Sequence, residues 1–273
     1  MDTEYRNTDR GDAGPEAAPN RRELLKGAAA LPLAAVLASP SLARAAAATT
    51  SGQTIRTAGG RTVTASLAVP SVTPAPAVLV IHEFWGLNDQ IKSVAAELAR
   101  QGYLALAVDL YGGKVGASQE EARAYMSQVK LEEATDTMIS WARWLAAHEQ
   151  GNGKVGSVGF CFGGMWSLET GIEAGIDAVV VYYGRVDQPA ERLAKLKGPV
   201  LGHFATRDTF IDKPMVEGFE ANMKAAGKAL TVHWYDADHA FANPTSARYD
   251  DADAKLAWER TAAFLGRTLG ASE

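Results

Sequence analysis

The residues with the clearest chemical potential are Gly159-Phe160-Cys161-Phe162-Gly163, followed by Gly164, because they carry the one cysteine of a 273-residue chain. The run from Gly153 to Phe160 reads as a buried strand and the run from Gly163 to Leu168 as the start of a helix, so Cys161 falls on the turn between them. A thiol on such a strand-to-helix turn is presented as a nucleophile, and only very small residues fit two positions to either side of so sharp a bend. The bend also aims the backbone N–H of Phe162 at the reacting atom, near the positive end of the helix, where it can act as an oxyanion donor. A lone cysteine in an apolar strand is more commonly a small buried hydrophobe. A nucleophile needs partners: an acid and then a histidine, each on a loop after a later strand. Both occur, because residues 199–206 read as a strand ending at Arg207-Asp208 and residues 230–235 as a strand ending at Asp236 to His239. Cys161, Asp208 and His239 then become nucleophile, orienting acid and base.

With the elbow stand His82-Glu83-Phe84-Trp85-Gly86-Leu87, Val108-Asp109-Leu110-Tyr111, Tyr182-Tyr183-Gly184, Val232-His233-Trp234-Tyr235 and His239-Ala240-Phe241. On these pieces the chain resembles the dienelactone hydrolase family from about Pro76 to Leu269, a cysteine in the elbow being the specific element. The resemblance implies an α/β-hydrolase fold and a Cys-His-Asp esterase that opens an activated lactone through an acyl-enzyme, with no metal or cofactor. It further implies that Glu83 holds the resting thiol and that the backbone N–H of Phe84 completes the oxyanion hole. Glu83 would end the apolar strand 77–81 among aromatic neighbours, a placement that marks a carboxylate as a functional candidate.

The departures bear on substrate. Family members acting on dienelactone hold its carboxylate with two arginines, and alignment by adjacent residues puts Glu121 and Asn243 at those positions. Neither pairs with a carboxylate as arginine does. Arg123 and Arg185 lie close enough in sequence to reach the acyl pocket from another direction, although arginine on such segments is usually a solvated charge. Tyr182 and Trp85 match pocket residues of the family, with core packing as the alternative for each. Dienelactone is therefore expected to be a poor substrate beside small uncharged esters or lactones.

The elements that must position these residues alternate regularly. After a hairpin around Ala58-Gly59-Gly60, strands near 77–82, 103–109, 153–160, 178–183, 199–205 and 230–235 alternate with helical stretches near 89–101, 119–149, 163–174, 213–226 and 252–269. That order predicts a mostly parallel, doubly wound sheet with helices on both faces. Gly112 to Gln119 is expected to be a mobile loop. A chain that is 47% hydrophobic and 22% charged can bury a substantial core, which fits one α/β-hydrolase domain over 46–273.

Residues 1–45 are set apart from that domain. Arg21-Arg22, the apolar stretch Gly27 to Leu37, Pro40 and the small-residue site Ala43-Arg44-Ala45 resemble a twin-arginine export signal, with an ordinary secretory signal as the rival. The apolar stretch is too short to span a bilayer, so the mature form is expected to have no membrane anchor, a periplasmic location, and the export machinery as the precursor's partner. Removing residues 1–45 leaves the net charge at −5, since six acidic and six basic side chains go with them. So mild an acidic balance argues against nucleic acid as a partner. In an oxidising compartment a single thiol cannot form a cross-link within the chain, which favours its use in chemistry.

Two tempting patterns fail on context. Gly151 to Gly156 matches G-x-G-x-x-G but precedes a strand, so the helix N-terminus that a pyrophosphate needs is missing. The five histidines show no paired ligand spacing, and no metal site is expected. His203 and His233 read as core residues with satisfied hydrogen bonds. His82 reads as a packed histidine, with a place on the pocket wall as the alternative. Three functional readings remain: a cysteine-dependent ester or lactone hydrolase, a broad small-ester esterase or thioesterase, and a non-catalytic binding protein on the same fold.

Overall fold

Apolar runs without a polar break, such as Ala75–Ile81 and Leu104–Val108, can be hidden only if both faces of their sheet are covered. The computed structural model describes residues 33–270 and covers them in that way. Two short helices, α1 (Leu33–Ala38) and α2 (Pro40–Ala47), come first. The hairpin β1 (Ser51–Arg56) and β2 (Thr62–Ala68) follows, then β3 (Ala75–Ile81), α3 (Asp89–Arg100), β4 (Leu104–Val108), α4 (Gln119–Ser127) and α5 (Leu131–Ala146). The second half runs β5 (Gly151–Phe160), α6 (Phe162–Ala174), β6 (Ala178–Tyr182), α7 (Ala190–Leu193), β7 (Val200–Ala205), α8 (Lys213–Ala225), β8 (Leu230–Tyr235) and α9 (Asp251–Leu269).

The eight strands form one sheet in the order β1-β2-β4-β3-β5-β6-β7-β8. Pairing is antiparallel for β1 with β2 and β2 with β4, and parallel from β4 to β8. Alternate residues of each strand feed opposite layers, as the pleat requires. Leu79 and Ile81 pack with Trp141 and Leu145 of α5, Trp166 of α6 and Phe219 of α8. Val78 and Val80 pack with Val94 and Leu98 of α3 and with Ala257, Phe264 and Leu265 of α9. This is the doubly wound α/β architecture of the α/β-hydrolases. Its parallel connections leave the carboxyl ends of β3, β5, β6, β7 and β8 along one edge, where loops can bring distant residues together.

Two elements differ from the expectations. The single helix expected over 119–149 is two, because Lys130 adopts an extended backbone (φ −87°, ψ 132°) at the start of α5. The break lets α5 press Ala134, Met138, Trp141 and Leu145 onto the sheet while α4 stays outside and buries Ala122. The small-residue site Ala43-Arg44-Ala45 lies within α2, which packs on α3: Ala43 and Ala47 are buried and the Ser93 hydroxyl donates to the Ala43 carbonyl at 2.8 Å. Arg21 and Arg22 lie outside the described residues. Among the described residues no helix is long and apolar enough to cross a membrane.

Candidate active site

The turn after β5 puts Cys161 at φ 53°, ψ −114°, a backbone conformation that costs a side-chain-bearing residue free energy. Two glycines make the turn possible. A Cβ on Gly159 would lie 1.9 Å from the Gly163 carbonyl oxygen, and one on Gly163 would lie 2.3 Å from the carbonyl oxygen of Ile81. Helix, strand and neighbouring strand therefore approach one another closer than any side chain permits. The other non-glycine residues with positive φ are Tyr183 (37°) and Ala240 (66°), so among the described residues all three such positions ring this site.

The elbow thiol meets residues from two later loops. His239, after β8, stands with Nε2 3.1 Å from the Cys161 Sγ, and its Nδ1 lies 2.6 Å from Oδ2 of Asp208 on the loop after β7. The other oxygen of Asp208 accepts from the backbone N–H groups of Phe210 (2.8 Å) and Ile211 (3.0 Å), which hold the carboxylate in place. Burial opposes a charge on His239, but the hydrogen bonds and charges of Asp208 and Cys161 outweigh it and push its pKa up to about 10. Imidazolium beside a thiol is the arrangement that favours thiolate. Phe162 opens α6, and neither its backbone N–H nor that of Phe84 is taken by another group among the described residues.

Glu83 does not contact the thiol, in contrast to the expectation from the resemblance. Its Oε1 accepts from the Tyr183 hydroxyl at 3.3 Å and its Oε2 from the Asn243 side-chain N–H. Burial raises its pKa, against the pull of Asn243, His239 and Tyr183. Asn243 is 4% exposed and is spent on this contact. Its Oδ1 accepts from Gln90 Nε2 (2.8 Å), the Thr245 hydroxyl (2.8 Å) and the Thr245 N–H (2.9 Å). His82 is packed: its Nε2 accepts from the Leu110 N–H, its Nδ1 meets the Glu83 carbonyl at 2.5 Å, and burial lowers its pKa to about 4.

The other expected substrate contacts sort out as follows. Trp85 is half-buried against Phe84, ring centroids 4.5 Å apart. Tyr182 is a core residue, its hydroxyl 2.7 Å from that of Thr261 and its ring 4.4 Å from His203. The Glu121 carboxylate accepts from the Ala117 N–H at 2.9 Å and so ties the loop before α4 to that helix. Arg185 is held by Asp187 in a two-pronged pair at 2.6 Å, and Arg123 is exposed. His203 is buried with both nitrogens bonded, to Tyr235 (2.8 Å) and Thr261 (3.0 Å), whereas His233 is only half-buried because β8 is an edge strand.

The sequence reading missed three neighbours. Tyr183 links Glu83 to His239, its ring 5.2 Å from the imidazole and edge-on to it. Phe210, 63% exposed, covers another edge of His239 at 5.3 Å. Gln90, on α3, reaches Asn243 across the sequence. The Tyr182-Tyr183 pair could have flagged the first, but which tyrosine faces the site depends on the positive φ at Tyr183. Two cavities flank the site without including Cys161 or His239. One of about 480 Å³ lies behind Glu83, Tyr183 and Asn243, and one of about 530 Å³ lies beyond Tyr111 and Tyr125.

Known proteins resemble this chain over most of its length. The model of the dienelactone hydrolase family matches residues 63–269. A Saccharolobus solfataricus protein is 34% identical over 248 residues, covering 76% of this chain and 95% of that one. The carboxymethylenebutenolidase of Pseudomonas putida is 30% identical over 231 residues, covering 79% of this chain and 96% of that one. A solved structure from Klebsiella pneumoniae superposes with a TM-score of 0.73 at 26% identity, over 80% of this chain and 98% of that one. A sheet wound in this order, an elbow at this place and matches of this extent make the chain a member of the dienelactone hydrolase family.

Proposed function

We propose that this hydrolase cleaves small uncharged carboxylic esters or lactones through an acyl-enzyme on Cys161. The observation that carries the proposal is the continuous line from Sγ to Nε2 and from Nδ1 to Asp208, at 3.1 and 2.6 Å. The Cys161 sulfur attacks the carbonyl carbon and the C=O electrons move to oxygen, facing the N–H groups of Phe162 and Phe84. Collapse breaks the bond to the alkoxy oxygen, which leaves with the proton held on His239. Water then gives its proton to His239 and attacks the thioester, releasing the acid and the thiol. Asp208 keeps the imidazole oriented and favours its charged form throughout.

The choice of neutral substrates rests on charge. Asn243 is committed to Glu83, Arg185 to Asp187, and Glu121 is an anion. Two arginine contacts to a carboxylate would contribute about 1.5 to 3 kcal/mol each, so their loss lowers kcat/KM by at least about a hundredfold. The test compares cis-dienelactone with p-nitrophenyl acetate in wild type and Cys161→Ala. Acetate turnover abolished by the substitution, with dienelactone turned over poorly by wild type, is expected. Turnover surviving in Cys161→Ala would end the acyl-enzyme reading. Efficient dienelactone turnover would end the neutral-substrate reading and point to Arg123 or Lys114.

A further inference from the structure

His82 follows the last residue of β3 and is fully buried, yet no step of the reaction uses it. Its hydrogen bonds fix its proton. Nε2 lies 3.2 Å from the Leu110 backbone N–H, which can only donate, so Nε2 is the bare nitrogen and the proton sits on Nδ1. Nδ1–H therefore donates to the Glu83 carbonyl oxygen at 2.5 Å, and the Gly86 N–H donates to the same oxygen at 3.2 Å. That carbonyl shares a peptide plane with the Phe84 N–H. In a trans peptide the two groups point in opposite directions, so the donors on the oxygen set the direction of the N–H. The next peptide plane is fixed as well, because the Tyr111 hydroxyl donates to the Phe84 carbonyl at 3.1 Å. Tyr111 is held in turn through its own N–H, which donates to the buried Asp109 carboxylate at 2.8 Å.

We propose that His82 is a positioning residue which, together with Tyr111, fixes the peptide planes on either side of Phe84 so that its N–H faces the oxygen of the reacting carbonyl. The inference rests on the acyl-enzyme reading and adds to it the side chains that aim the second oxyanion donor, which this fold takes from the loop after β3. Their location supports the role. The His82 ring stacks on Phe162 with centroids 5.8 Å apart, the Tyr111 ring lies 5.8 Å from Phe162, and the two rings meet edge-on at 4.7 Å. A Cβ on Gly163 would come within 2.6 Å of the His82 carbonyl oxygen, so the loop after β3 leans directly on the elbow that carries the first donor. A hydrogen bond to a peptide oxygen also polarises the N–H of that peptide and makes it a better donor. Burial lowers the His82 pKa to about 4, so this hold adds no charge to the site.

The test compares two reactions of Cys161. Acylation by p-nitrophenyl acetate, read as kcat/KM, builds an oxyanion, whereas alkylation by iodoacetamide is a displacement at a saturated carbon and builds none. Both are measured in wild type, His82→Leu, His82→Asn and Tyr111→Phe. His82→Leu is expected to slow acylation by about ten- to a hundredfold, up to the loss for deleting one oxyanion donor, with alkylation within about twofold of wild type. His82→Asn places an amide N–H where Nδ1 stands, and is expected to recover acylation to within about threefold of wild type. Tyr111→Phe keeps the ring and loses one hydrogen bond, so acylation is expected to slow by about three- to tenfold with alkylation unchanged. Wild-type acylation in His82→Leu, a loss shared equally by alkylation, or His82→Asn as slow as His82→Leu would overturn the inference. Where His82→Leu yields no folded protein, acylation and alkylation in Tyr111→Phe decide by the same two criteria. Ester turnover that persists after complete alkylation of Cys161 in wild type would overturn the acyl-enzyme reading itself, and the His82 role with it.

Discussion

At the residue scale, the site is a case of buried polar groups that each have a partner. Asp208 gives one oxygen to His239 and the other to two backbone N–H groups, so both its oxygens are occupied as acceptors and its carboxylate is fixed against the ring. Asp208→Asn is expected to lower kcat for p-nitrophenyl acetate by about a thousandfold while leaving KM within a fewfold, since it disturbs the tautomer of His239 more than binding. Phe210 presents the opposite situation, a large apolar ring 63% exposed with its centroid 5.3 Å from that of the His239 ring. A ring kept in water beside His239 can gain contact only from something that arrives there. Phe210→Ala is expected to lower kcat/KM for aromatic esters by about three- to tenfold, the value of an aromatic contact of 0.5–1.5 kcal/mol. An equal loss for ethyl acetate would assign the effect to His239 and not to substrate.

At the element scale, the elbow is a collision between strand and helix that only glycine resolves. Gly159→Ala would drive a methyl group to 1.9 Å from a backbone oxygen, and backbone cannot give way as a flexible side chain does. The expected outcome is a loss of more than about 4 kcal/mol of stability, or no soluble protein. Gly112→Ala is the contrast: its Cβ meets nothing within 4 Å and the cost is the positive φ of 64° alone, about 1 kcal/mol. Denaturant unfolding of both variants checks the difference, and equal midpoints would refute the steric account. The strand and helix order, the elbow and the loops carrying Asp208 and His239 were legible from apolar runs and turn residues, because those signals are local. The break between α4 and α5 was not, since no glycine or proline marks it and the packing of α5 on the sheet decides it.

At the scale of the whole molecule, acid sensitivity follows from histidines folded away neutral. Burial lowers the pKa of His82 from 6.5 to about 4 and that of His203 well below its ordinary value. At these two histidines the unfolded chain therefore binds protons first as pH falls, so the stability they contribute is full above pH 6.5 and, for His82, is lost between there and about pH 4. His82 alone accounts for about 3 kcal/mol of that loss. Thermal midpoints measured between pH 7 and pH 4 should fall accordingly, and His82→Gln should flatten the slope. We also propose that residues 1–45 direct export and that the mature chain begins near Ala46. The proposed processing site would lie in α2, where Ala43 and Ala47 are buried and Ala43 is bonded to Ser93 of α3, so cleavage would require α2 to leave that surface first. Changing Arg21-Arg22 to Lys-Lys is expected to hold the precursor in the cytoplasm, and normal export of that variant would rule out the twin-arginine route.

The amino-acid sequence by itself determined the architecture and the order of the candidate nucleophile, acid and base. Hydrophobic periodicity, glycine spacing and chain order are properties of short segments, and each can be read without knowing what lies across the sheet. Only the tertiary structure decided which side chains are spent on one another. Asn243 is taken by Glu83, Glu121 by its own loop, Arg185 by Asp187 and Tyr182 by Thr261, while Tyr183, Gln90 and Phe210 come to the site. Polar side chains choose partners by distance and orientation in three dimensions, and Glu83 and Asn243 are 160 residues apart in the chain.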